Sequence, residues 1–241
     1  MAENWEFGAH PKFLHTLVIF RHNDEYFSAE LSERVLCPED LPIIDRSRLQ
    51  KIPQEHIWPR LEDKLTICQN YENSDVYIKQ PRLTGYDGSA SLSKYLLQEA
   101  YICEFLMDHP HENIARYLGC VVKADRITGL CFQKYAETLE DRLEDGRSVD
   151  NQSCLQQVKA GIKHLHGLNL VHNDIHLDNI MFANRDGDAL VIIDFDSCTF
   201  KGNPLPDKRG PMPENTYTAE FRNDDFSLEK LREDLDLRGM K

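Results

Sequence analysis

Three polar side chains at the ends of apolar runs carry the most chemical information in this sequence. Asp174 and Asn179 lie in Val171-His172-Asn173-Asp174-Ile175-His176-Leu177-Asp178-Asn179-Ile180-Met181, and Asp194 closes Val191-Ile192-Ile193-Asp194-Phe195-Asp196. The flanking apolar runs read as short buried strands. A polar group buried without a partner costs roughly 2–7 kcal/mol, so a place that collects several of them is suited to holding a cation or moving a proton. Between the two runs, Asn184-Arg185-Asp186-Gly187-Asp188 contains an Asp-Gly pair, the signal of a tight hairpin turn. The runs should therefore pair and bring their polar ends together.

The elements that must position this site lie upstream. Leu65 to Cys68 and Val76 to Lys79 read as strands joined by the polar loop Gln69 to Asp75, with Lys79 at the end of the second. From Ser89 to Asp108, Leu92, Tyr95, Leu96, Ile102, Cys103 and Leu106 recur at helical spacing, and Glu99 falls on the same stripe. A carboxylate on a buried stripe needs a partner, and Lys79 precedes it by an interval that suits a strand, a loop and half a helix. Glu104 is the rival, on the opposite face with Leu97 and Tyr101. The alternatives are a solvated strand-end lysine and a surface glutamate.

His109-Pro110-His111-Glu112-Asn113-Ile114 stops that helix, and Ile114 to Val122 and Gly129 to Tyr135 read as strands separated by the turn Lys123 to Thr128. Ser153 and Gln156 have the spacing of a capping box that opens a helix with the stripe Leu155, Val158, Ile162 and Leu165, ending at Gly167. That helix delivers the chain into Leu170-Val171-His172. At the N-terminal end, residues 14–31 read as a hairpin around Arg21 to Glu25, and residues 32–63, with Pro38, Pro42, Pro53 and Pro59, as irregular extended backbone. After Asp196 come a Pro/Gly-rich loop, Lys201 to Asn215, and a final helix opened by the acidic residues after Asn223.

The chain has 241 residues, 41% of them hydrophobic and 29% charged, which is ordinary for a globular protein with a core of its own. With 41 acidic against 28 basic residues and a formal charge of -13, it is poorly suited to nucleic acid or an anionic membrane, whose binding depends on Lys and Arg near phosphate. An anionic nucleotide would need a local cation and a metal. The 7 cysteines are widely spaced, form no C-x-x-C pair and mostly sit in apolar runs, as reduced core residues of a cytoplasmic protein do. No apolar run approaches a membrane span, and Met1-Ala2-Glu3-Asn4-Trp5-Glu6 is not a signal peptide.

His172-x-Asp174 with Asn179 resembles the H-x-D-x-x-x-x-N catalytic loop of protein kinases, and Asp194-Phe195-Asp196 resembles their magnesium-binding triplet. Val76-Tyr77-Ile78-Lys79 is similar to the V-A-I-K strand, and His109 to Cys120 to the H-P-x-N-I-x-x-x-x-G run. The resemblance to the protein-kinase-like superfamily extends from about residue 60 to the C-terminus. It is closest to the short kinase-like proteins of filamentous fungi that carry H-N-D and D-F-D-S-C motifs.

This resemblance implies an α+β, two-lobed protein-kinase-like fold with a small β-rich N-lobe and a truncated helical C-lobe. Residues 1–60 would be an N-terminal extension with a β-hairpin, 61–135 the N-lobe and hinge, and 136–241 the truncated C-lobe. It implies ATP and Mg2+ as cofactors and a protein or small-molecule hydroxyl as acceptor. Asp174 would be the catalytic base, with Lys79, Glu99 and His176 completing the catalytic set and His172 bracing the loop. Asn179, Asp194 and Asp196 would hold the metal. Lys79 would contact the nucleotide phosphates, Phe132 would be the gatekeeper, and backbone groups of Gln133 and Tyr135 would meet the adenine, with Lys134 pointing away.

Four positions depart from the kinase pattern. Gln69 to Asp75 stands where a G-x-G-x-x-G loop would cradle phosphates, and holds no glycine. Asn173 replaces the loop arginine that pairs with a phosphorylated activation segment. Asp196 replaces glycine, and His176 replaces the loop lysine. The last two, with Asn173, resemble aminoglycoside- and choline-kinase-like phosphotransferases. Three readings stay open. A minimal Ser/Thr-type protein kinase is favoured by the Lys79 strand and the Glu99 helix, a small-molecule phosphotransferase by His176 and Asp196, and a non-catalytic pseudokinase by the missing glycine loop.

Overall fold

The computed structural model describes residues 1–6 and 11–239. The chain is of the mixed α+β class expected, with antiparallel strands dominating the N-terminal region and three long helices, Ser91–Met107, Asn151–Gly167 and Phe221–Gly239. It divides into two compact units. One comprises Met1–Glu62, Gln80–Leu97 and Val122–Gly129; the other comprises Asp63–Lys79, Gln98–Val121 and Leu130–Lys241. These units interleave along the chain.

In the first unit the hairpin Lys12–His22 and Glu25–Leu31 turns at Asn23-Asp24, where Asn23 takes the left-handed φ of 55° that asparagine tolerates. Its register pairs Val18 with Ala29 and His22 with Glu25. Ala2–Glu6 adds to one edge and Gln50–Ile52 to the other, giving a four-stranded antiparallel sheet. Val18, Leu31 and Val35 form a buried cluster against which Phe20, Leu41 and Ile44 pack. The Thr16 hydroxyl donates to Glu33 O and accepts from Val35 N, fixing the exit of the hairpin. The Pro-rich stretch is irregular apart from single 3-10 turns, the strand Gln50–Ile52 and the short helix Gln54–Ile57.

A separate three-stranded sheet pairs Val76–Lys79 antiparallel with Arg126–Gln133, setting Lys79 opposite Leu130, with Tyr117–Lys123 on the far side of Arg126–Gln133. The turn between the last two strands is only Ala124-Asp125, both left-handed at φ 47° and 62°. It is shorter than Lys123 to Thr128 because this turn type matches strand twist and lets the ladder run to its end. Leu65 to Cys68 is not a regular strand. It makes a single bridge, with Cys120 N donating to Thr66 O and Cys68 N to Cys120 O. Gly119 opposite it has φ 122°, and a Cβ there would stand 2.7 Å from Cys68 N, so glycine is what admits this close approach.

The helix Asn151–Gly167 buries Cys154, Val158, Ile162 and Leu165, each aliphatic side chain contributing about 1.5–3 kcal/mol. Its N-cap is Asp150, which accepts from Gln152 N and Ser153 N; the expected cap, Ser153, sits inside the first turn. An aspartate three residues upstream out-competes the serine, since its charge also meets the helix dipole. The left-handed residue after the helix is Asn169 at φ 59°, not Gly167. Ile180–Phe182 and Leu190–Ile192 pair antiparallel across Asn184 to Asp188 as expected, and Glu137–Thr138 joins the other edge of Ile180–Phe182. All seven cysteines are free, six of them buried. Among the described residues no helix is long and apolar enough to cross a membrane.

Candidate active site

The ribbon Leu170–Val171 with Thr199–Phe200 carries the chain into the loop His172 to Asn179. His172 is fully buried, its Nε2 3.1 Å from Ile193 O and its ring edge-on to Phe195 at 5.6 Å. Asn173 is also fully buried, with a left-handed φ of 63°. Its amide donates to Val171 O and Ser197 O and accepts from Asn223 Nδ2, so both ends of the side chain are used.

The backbone N–H groups of His172 and Asn173 donate to the two carboxylate oxygens of Asp224, at 2.9 and 2.8 Å. Asp224 is fully buried and also meets His166 Nε2 at 2.9 Å. Asp224 is one of the acidic residues that open the final helix, and its carboxylate turns inward to the loop rather than serving only the helix start. Asn223, Ser227, Leu231 and Leu235 recur every fourth residue on the buried face of Phe221–Gly239, and that stripe, with Asp224 beside its first member, was the available signal.

Asp174 follows, 7% exposed. Asn179 Nδ2 donates to its backbone O at 2.9 Å and its Oδ2 at 3.2 Å. His176 Nε2 lies 3.7 Å from Asp174 Oδ1, an ion-pair distance rather than a hydrogen bond. Burial works to raise the Asp174 carboxyl, but His176 and the charge of Lys208 outweigh it, and its pKa lies below the ordinary value. His176 is raised by the same pairing.

Lys79, Glu99, Asp194 and Asp196 form the second group. Lys79 Nζ is 2.7 Å from each oxygen of Glu99, 2.6 Å from Asp194 Oδ1 and 3.4 Å from Asp196 Oδ2. Glu99 Oε1 also accepts from Phe195 N, so the helix stripe grips the triplet as well as the lysine. Glu104, the rival, accepts instead from Thr66 N and Oγ1. Burial opposes the charge on both groups, yet three carboxylates hold the Lys79 pKa above the ordinary range, and the ammonium groups of Lys79 and Lys208 hold Asp194 well below its own. Asp194 takes φ 65°, a strained conformation for a non-glycine residue that these bonds over-determine.

Carboxylate oxygens of Glu99, Asp194 and Asp196 lie within 4.8 Å of one another. Clustered hard oxygen donors on two or three carboxylates fit Mg2+. Asn179 stays with Asp174 through its amide and reaches the triplet through its backbone, Ile193 N donating to Asn179 O.

Two residues of the Pro/Gly-rich loop Lys201 to Asn215 complete the site. Lys208 Nζ bonds Asp194 Oδ2 at 3.0 Å and Asp196 Oδ2 at 2.6 Å. Gly210 N donates to Asn173 O, and a Cβ on Gly210 would stand 2.8 Å from Asp174 Oδ1. No periodicity marks either.

The run Phe132 to Tyr135 is tied to Arg116, Tyr117 and Asp75. Phe132 is buried beside Tyr117, Gln133 N is bonded to Arg116 O, Lys134 N to Asp75 O, and Tyr135 Oη accepts from Arg116 N.

The family model described as Protein kinase domain matches residues 66–223. Among curated relatives, "Sensor for unfolded proteins in the ER ire1" of Schizosaccharomyces pombe is 32% identical over 120 residues, 47% of this chain and 10% of that protein. "Serine/threonine-protein kinase/endoribonuclease IRE2" of Homo sapiens is 27% identical over 126 residues, 47% of this chain and 14% of that protein. "Serine/threonine-protein kinase shk2" of Schizosaccharomyces pombe is 32% identical over 97 residues, 39% of this chain and 16% of that protein. The chain spans no more than 16% of the length of these relatives.

Proposed function

Because the chain belongs to the protein kinase domain family, we propose that it is an ATP- and Mg2+-dependent phosphotransferase, a minimal Ser/Thr-type protein kinase. The observation that carries this reading is the junction at Glu99, whose carboxylate binds the strand lysine and the backbone of Phe195 together. That junction holds Lys79 and Asp194 at one point, with Asp174 and Asn179 in the adjoining loop. A binding scaffold has no physical need for so many convergent polar groups.

In this reading residues 61–135 form the small lobe and hinge, 136–241 the truncated second lobe and 1–60 an N-terminal extension. Lys79 neutralises nucleotide phosphate, and Asn179, Asp194 and Asp196 hold Mg2+. The bound metal supplies further charge neutralisation on the polyphosphate. Phe132 lines the base, with backbone groups of Gln133 and Tyr135 turned to the adenine. The acceptor hydroxyl donates to Asp174; its oxygen bonds the γ-phosphorus as the bond to ADP breaks, and the proton passes to Asp174. A carboxyl below its ordinary pKa suits this role, since a loose phosphoryl transition state asks for orientation more than basicity. The proposed activity is phosphoryl transfer and not RNA cleavage, since a net charge of -13 suits a long RNA poorly, whereas a single nucleotide needs only the local cation Lys79 and a metal.

A second reading, a small-molecule acceptor, draws support from the Asp196 carboxylate within the cluster and from His176 beside Asp174. Mass spectrometry after incubation with labelled ATP, a peptide library and a metabolite extract separates the two. Asp174→Asn should abolish transfer with Mg2+-ATP binding nearly unchanged, whereas Asp194→Asn should cost both. If the parent binds no nucleotide at millimolar ATP, or shows no Mg2+ effect, the protein is a pseudokinase and these roles are wrong.

A further inference from the structure

Phosphoryl transfer concentrates charge on the transferred group, and this chain has few cations to meet it. The loop His172 to Asn179 has no lysine or arginine, and the loop Gln69 to Asp75 has no glycine to bring backbone N–H groups close. Lys79 is already shared among three carboxylates.

We propose that Lys208 is the second phosphate-contacting cation of this site, held on Asp194 and Asp196 until nucleotide and metal arrive. The proposal rests on the phosphotransferase reading above. Lys208 occupies the far side of the same carboxylates as Lys79, taking Asp194 Oδ2 where Lys79 takes Oδ1, and sharing Asp196 Oδ2. Its side chain is 52% exposed against 23% for Lys79, so its ammonium can leave while its stem stays. The stem is fixed two residues on, where Gly210 N bonds Asn173 O and the glycine lies against Asp174. Arg209, the neighbouring cation, folds back on Pro206 O at 2.7 Å and is not aimed at the site.

Charge decides where Lys208 goes. Two ammonium groups nearly balance Glu99, Asp194 and Asp196. A divalent cation needs the oxygens that Lys208 occupies, so free Mg2+ must displace it, and the ammonium then has lost its partners. When the metal comes with a polyphosphate, the displaced ammonium finds a new anion within reach of its flexible stem. Lys208 therefore opposes binding of the free metal and favours binding of the metal with nucleotide, two effects of opposite sign from one side chain.

The test titrates the parent, Lys208→Met and Lys208→Arg by calorimetry with Mg2+ alone and with ATP in saturating Mg2+. Lys208→Met should bind free Mg2+ about tenfold more tightly and Mg2+-ATP about tenfold more weakly, the size expected for one charge-assisted contact. Lys208→Arg, which keeps the charge, should hold Mg2+-ATP within about threefold of the parent. A residue with only a structural role would weaken both titrations together in the Met variant. If the parent binds Mg2+-ATP and Lys208→Met binds it equally well, or binds free Mg2+ no better, the proposal is overturned and the phosphotransferase reading stands. If the parent binds no ATP, both fall.

Discussion

Lys79 and Glu99 meet with the ammonium 2.7 Å from each carboxylate oxygen, although twenty residues and a helix start separate them in the chain. Glu99 is 3% exposed, so the pair exchanges hydration for mutual contact, and Phe195 N satisfies a further lone pair. Such a pair adds little when intact and costs more when halved, because without Lys79 the Glu99 charge stays buried without its cation, while without Glu99 the ammonium keeps Asp194 and Asp196.

Lys79→Met and Glu99→Gln should therefore each lower unfolding stability by about 1–3 kcal/mol, and the double variant should cost less than the sum by about 1–2 kcal/mol. Phosphate transfer should fall by orders of magnitude in either single variant. Urea denaturation of the four proteins measures the cycle. Additivity within about 0.5 kcal/mol would show that the two charges do not act as a unit.

Asn173 cannot serve a phosphorylated loop, since its amide is fully buried and bonded at both ends to Val171, Ser197 and Asn223. The other nearby cations are engaged as well: Lys201 faces Glu220 and the Phe221 ring, and Arg209 bonds Pro206 O. Protein treated with phosphatase should keep its transfer rate. A large loss after that treatment, with the parent's phosphate mapped to residues 197–220, would sink the expectation.

His176 gives a pH dependence of definite sign. Its pKa is raised above 6.5 by Asp174, with Asp178 adding to the pull, so the folded chain holds a proton that the unfolded chain releases sooner. The resulting stabilisation is fully present below pH 6.5 and is lost as pH rises through the raised folded value. The parent should be more stable than His176→Ala at about pH 5.5, with the gap closing by about pH 8.5. The side chain is 39% exposed, so solvent screening keeps the gap small. Denaturant midpoints of both proteins across that range settle it; a gap that widens with pH would reverse the assignment.

What the sequence determined alone was local. Alternation and turn residues placed the hairpin around Arg21 to Glu25 and the paired runs around Asp186-Gly187. Helical spacing put Glu99 on a buried stripe, and the spacing from His172 to Asn179 marked the loop. These are periodic or short-range features, and backbone geometry alone imposes them. The tertiary structure decided what depends on distant chain. Asp224 receives the loop's N–H groups from residues about fifty positions away, and Lys208 reaches carboxylates in a loop with no periodicity to mark it. Asp150 displaced Ser153 as the cap, and Gly119 admits the close approach of Cys68. In each case several residues of suitable chemistry compete for one position, and the winner is set by which side chain the packed backbone brings within bonding distance, a quantity no linear spacing contains.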